Sequence, residues 1–180
     1  FELTERSGEP FRSADMEGKV WVATFFFATC PGTCPRLNAN IKYLNSLEEL
    51  EALTWVSITV DPDTDTLAKL REYADIFQAD PNRWLFCRGE FDYIRRVGQD
   101  IMKVDVSWRG HKDYAVVIDK SGNVRGMYDA YRTSQVEKLR VLLLKLLEEE
   151  PPESTEETTE EEPARETPPT AEPMQESAAA

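Results

Sequence analysis

The chain has 180 residues, 41% of them hydrophobic and 31% charged, which suits one domain with a sizeable core. Its net charge of −13 and the lack of any basic stripe argue against nucleic acid as a partner. Three cysteines are too few for a disulfide scaffold, and no apolar run approaches the roughly 18 residues of a membrane span.

The charge is unevenly spread. Twelve glutamates and one arginine fall between Glu148 and Ala180, so most of the net charge belongs to the C-terminal end and the remainder is nearly neutral. From Pro151 onward the chain is mainly Pro, Glu, Thr, Ser and Ala without an aromatic residue, a composition that cannot offset its own ordering entropy. The expected division is a folded domain over 1–148 and a disordered acidic tail over 149–180, acting as a solvated linker. The chain opens at Phe1 without a methionine, in what reads as folded sequence, so an N-terminal export signal or anchor is expected to have preceded it.

Taken in order, Phe1–Thr4 and Pro10–Arg12 flank Ser7-Gly8 and predict a small hairpin. Lys19–Phe27 is β-branched and aromatic without alternation, the pattern of a central strand covered on both faces. Leu37, Ile41, Leu44, Leu47 and Leu50 predict an amphipathic helix of about four turns. Thr54–Val60 reads as a second strand, then Asp65 or Thr66 caps a helix carrying Leu67, Leu70, Tyr73, Ala74 and Phe77, and Arg83–Cys87 forms a third strand. Phe91–Val97 is a further helix, and Ile101–Trp108 is less regular. Tyr114–Ile118 and Val124–Tyr128 are strands joined by Asp119–Asn123, with Gly122 where positive φ is needed, and Val136 to Leu146 mark a closing helix. This alternation predicts an α/β, thioredoxin-like fold: a central mixed sheet flanked by helices, with an N-terminal hairpin.

Chemistry concentrates in Phe25-Phe26-Phe27-Ala28-Thr29-Cys30-Pro31-Gly32-Thr33-Cys34-Pro35. If both cysteines occupy a helix's first turn, they share one face there, where unpaired N–H groups favour thiolate. Three intervening residues distinguish the motif from C-x-x-C and allow either a disulfide or convergence on a metal. His111, the only histidine, precedes a predicted strand; in a thioredoxin-like order its loop lies beside the cysteines at the sheet's C-terminal edge. Two sulfurs and one imidazole suit copper, since thiolates select Cu(I) and imidazole accepts either oxidation state. Cys87 reads as core. Asp61, Asp63 and Asp65 lack the glycine of a calcium loop and read as a turn and cap. The four tryptophans read as core and site walls.

Several spaced blocks resemble the Sco/SenC family of thioredoxin-like copper proteins associated with cytochrome c oxidase assembly. They are Phe25 to Pro35; Val56 to Pro62 followed by Asp65-Thr66; Ala79-Asp80-Pro81-Asn82-Arg83-Trp84; and His111 ahead of Val116-Val117-Ile118-Asp119 and Gly122. The resemblance runs from about Phe1 to Leu147. It implies that Cys30, Cys34 and His111 are copper ligands and that Cys30 and Cys34 form a redox-active pair. It also implies a metallochaperone rather than a conventional enzyme, delivering Cu(I) or Cu(II) to the binuclear copper centre of a terminal oxidase. The alternative is a thiol-disulfide oxidoreductase reducing the cysteines of the acceptor. A monomer is expected, extracytoplasmic or periplasmic, held to the inner membrane by a preceding segment. Gly32 and Arg36 depart from the family's acidic residues at those places, and the chain lacks the proline that thioredoxins place opposite their cysteines.

Overall fold

The computed structural model describes residues 1–150, apart from the side chain of His111; the tail expected from Pro151 onward lies outside the described residues. Nine strands and four α-helices follow one another. Strands β1 (Glu2–Glu5) and β2 (Pro10–Arg12) form the expected hairpin, and β3 (Trp21–Phe26) is buried at every residue. Helix α1 (Cys34–Asn45) leads to β4 (Thr54–Thr59), α2 (Leu67–Phe77), β5 (Trp84–Arg88) and α3 (Phe91–Arg96). Short strands β6 (Val106–Ser107) and β7 (Gly110–His111) precede β8 (Tyr114–Ile118), β9 (Val124–Asp129) and α4 (Thr133–Glu148).

The main sheet has the order β2-β1-β5-β4-β3-β8-β9. β3, β4 and β5 run parallel, while β8 is antiparallel to β3, β9 to β8 and β1 to β5. This is the mixed sheet of a thioredoxin-like fold. Because successive side chains leave opposite faces of a strand, the central strands feed two cores. Val22 and Phe26 join Trp55, Trp84 and Phe86 beneath α1, α2 and α4, whereas Ala23, Phe25 and Val56 join Ile94, Val97 and Val106 on the other face. Cys87 is fully buried in the second core, as expected.

Two local expectations are corrected, and one left open between two residues is decided. The first helix ends at Asn45; Leu50 belongs to a separate 3₁₀ turn, Glu48–Leu50, and Leu47 is the residue that precedes it. Leu50 still reaches the core, so its apolar spacing mimicked a longer helix. Thr66, not Asp65, caps α2 by accepting from Lys69 N–H, since the Asp65 carboxylate is engaged by Thr59 and Ala28. Trp108 is 46% exposed, packing only edge-on against Phe91, so it is not a core tryptophan.

The sheet also fixes which end carries the chemistry. Trp21, where β3 begins, pairs with Ile118, where β8 ends, so the β8–β9 turn and the cysteine loop lie at opposite edges. Lys120 in that turn donates to the carbonyls of Leu147 and Glu149, and Arg125 pairs with the Glu149 carboxylate. Thus α4 starts near the cysteine edge and finishes at the other.

Candidate metal centre

The loop between β3 and α1 is pinned at its start, where Ala28 N–H donates to Asp65 Oδ2 (3.0 Å) and Cys30 N–H to Phe27 O (3.1 Å). Cys34 is the first residue of α1 and wholly buried; Cys30 precedes the helix and is only half-buried. The two cysteines therefore do not share a helical face as expected. The turn through Pro31 and Gly32 curls back instead, bringing the two thiols into hydrogen-bond contact.

Their surroundings make the thiols unequal. Burial pushes Cys30 up, but the N–H groups of Cys34, Gly32 and Thr33, with the Cys34 thiol, stabilise charge on its sulfur and hold it below the ordinary cysteine range. Burial pushes Cys34 far up; a backbone hydrogen bond from Phe27 opposes this, while the neighbouring Cys30 and the charge of Asp113 reinforce it. The accessible sulfur is thus shifted toward thiolate and its buried neighbour toward thiol.

The backbone carrying His111 comes to the same edge. In β7, His111 pairs with Val106 and Gly110 with Ser107. Two residues on, Asp113 Oδ1 accepts from Thr33 Oγ1 at 2.6 Å, and its carbonyl accepts from Ala130 N–H at 2.9 Å. Thr33 occupies the N-cap position of α1 yet uses its hydroxyl for this contact instead of a cap. The start of α1 and the link from β7 to β8 are thereby joined. Among the described side chains, no three His, Cys, Asp or Glu residues form a metal-holding group.

Reading the residues in order did not reveal Arg109 or the role of the two buried acids. Asp61 and Asp65 are wholly buried behind the cysteine loop, and Arg109 reaches in from the β6–β7 turn, with Nε 3.4 Å from Asp61 Oδ2. The available signal was an acidic pair directly after an apolar strand, because charges at a buried strand end require partners. Arg36, one of the departures from the family pattern, lies with its guanidinium 4.4 Å above the Tyr131 ring.

The SCO1/SenC family model matches residues 1–142. The chain belongs to the SCO1/SenC family. A SCO2-like protein of Rickettsia typhi is 35% identical over 135 residues, covering 68% of this chain and 64% of that protein. One from Rickettsia felis is 35% identical over 81 residues, covering 43% of this chain and 38% of its own length. The chain thus spans less than two thirds of these relatives. The crystal structure of a SCO1/SenC family lipoprotein from Bacillus anthracis superimposes with a TM-score of 0.76 at 29% identity, covering 82% of this chain and 93% of that one. Yeast Sco1, solved with copper bound, gives 0.64 at 25% identity, covering 77% and 83%.

Proposed function

We propose that this protein is a copper metallochaperone that carries its ion on Cys30, Cys34 and His111 and passes it to the binuclear copper centre of a terminal oxidase during cytochrome c oxidase assembly. The observation that carries this reading is the pair of thiols in mutual contact at the start of α1, with the His111 strand tied to the same turn through Thr33 and Asp113. The donor set fits: two soft sulfurs hold Cu(I), and an imidazole extends the range to Cu(II). The copper-bound yeast structure supports the same cargo. An extracytoplasmic site of action and attachment to a membrane through a preceding segment accompany the proposal, and the lipoprotein relative supports them.

Transfer by ligand exchange needs a cargo site that opens from one side. Cys34 is anchored in the core, whereas Cys30 sits at the surface in a turn with no helical hydrogen bonds to break, so Cys30 is the ligand that lets go first. Titration of the reduced protein with copper tests the reading. Wild type is expected to retain about one ion per chain, and His111→Ala to bind Cu(II) far more weakly, with its thiolate charge-transfer absorption changed. Unchanged Cu(II) binding in that variant would refute the ligand assignment.

The unequal thiols favour a second reading, a thiol-disulfide oxidoreductase acting on the acceptor. The Cys30 thiolate would attack an acceptor disulfide, releasing one acceptor thiolate and leaving a mixed disulfide. Cys34, on losing its proton to that thiolate, would then attack the Cys30 sulfur and free the second. Two electrons pass to the acceptor, which leaves as a dithiol while Cys30 and Cys34 become a disulfide. This chemistry does not require His111, so disulfide exchange that survives in His111→Ala separates the two activities.

A further inference from the structure

The strands that place His111 form a sheet of their own, two residues on each side of the Trp108-Arg109 turn. A hairpin this short does not hold itself together in water. Val106 is buried in the second core and Trp108 packs on Phe91. On the side facing the loop, Arg109 adds a second attachment to the Thr33–Asp113 contact. Its N–H donates to Val60 O (3.2 Å), its Nε faces Asp61 Oδ2 (3.4 Å) and its Nη2 donates to Thr29 Oγ1 (3.3 Å). The guanidinium carbon also stands 5.3 Å from the centre of the Phe27 ring.

Two features bear on what this side chain does. The Arg109 backbone is left-handed, with φ at 48°, a conformation glycine adopts with less strain. Asp61 is wholly buried, and neither of its carboxylate oxygens accepts a hydrogen bond from a described residue; Arg109 is its ion-pair partner. A buried carboxylate is costly unless a cation faces it, so the pair ties the turn to the end of β4.

Resting on the copper reading of the site, we propose that Arg109 is a positioning residue: clamped on Asp61, Thr29 and Phe27, it fixes the backbone of His111 beside the Cys30–Cys34 loop. It acts through His111 and is not itself a ligand. Arg109→Ala releases the turn while leaving all three cargo residues in place.

Two measurements test this. In the metal-free reduced protein, hydrogen exchange at the amides of residues 107–111 is expected to quicken about tenfold or more in Arg109→Ala, as expected for a segment that opens locally, with partial protection restored by Arg109→Lys. Unchanged exchange would overturn the clamp. In Cu(II) titrations, Arg109→Ala is expected to lose affinity, and the Arg109→Ala/His111→Ala double variant to match His111→Ala within about twofold, because the two residues act as one unit. Losses that multiply in the double variant would overturn action through His111. Should the alanine variant fail to fold, Arg109→Gln serves both measurements. If His111→Ala binds copper like wild type, the copper reading falls, while the exchange result still decides whether Arg109 holds the hairpin.

Discussion

Cys30 and Cys34 differ by position before they differ by chemistry: one is in an open turn ringed by N–H groups, the other in the first turn of a buried helix. Alkylation of the native reduced protein should therefore mark Cys30 first. Its rate should rise with pH about a midpoint below that of a free cysteine, with Cys34 and Cys87 labelled only after unfolding; peptide mass mapping reads the order. Cys87 and Tyr73 give a second prediction. Burial pushes both up, for Tyr73 against the Asn38 amide that donates to its hydroxyl. Their contribution to stability is fully present below the unfolded values of about 8.5 and 10, and is lost as pH rises from there toward the folded values. Urea midpoints of the reduced protein should fall between pH 8 and 10.5, and Cys87→Ala should lessen the early part of that fall, the rest of which belongs to Cys34.

Between α3 and β6 the chain makes one π-helical turn, Val97–Ile101, an element associated with functional sites. Gly98 makes it possible: a Cβ there would stand 2.5 Å from Val106 Cγ2 and 3.3 Å from the Phe25 ring. Gly98→Ala should cost about 1–3 kcal/mol through overpacking, read by urea unfolding. It should also disturb β6, the strand paired with His111. The sequence revealed the long elements well because their apolar periods are uninterrupted. β3 and β4 are continuous β-branched and aromatic runs, and α2 carries one clean stripe ended by Gln78 in a left-handed cap. What it concealed depends on contacts distant in the chain. The stop of α1 at Asn45 is invisible when Leu47 and Leu50 continue the same spacing, and Arg109 has meaning only once Asp61, 48 residues earlier, is seen to be buried beside it. Cys30, Cys34 and the approach of the His111 strand were legible from motif and element order; the inequality of the thiols required the folded turn.

The whole molecule is held by two cores that share the central strands. Phe26 stacks on Tyr73 (5.1 Å) and meets Phe86 edge-on (5.5 Å), so one ring joins β3, α2 and β5 directly behind the cysteine loop. Phe26→Ala should cost about 3–5 kcal/mol, visible as a lowered denaturation midpoint. It should also weaken copper retention in reduced protein held well below that midpoint, because the strand that leads into the loop loses its anchor.

Helix α4 starts at the cysteine edge and travels about 24 Å at 1.5 Å per residue before Glu148. Glu148, Glu149 and Glu150 thus stand at the pole remote from the thiols, farther away than the roughly 8 Å over which salt lets exposed charges act on one another. The field at the cysteine edge is therefore set by the groups around the loop itself, Asp113, Asp61 and Arg109 among them, and not by the carboxylates that close the helix.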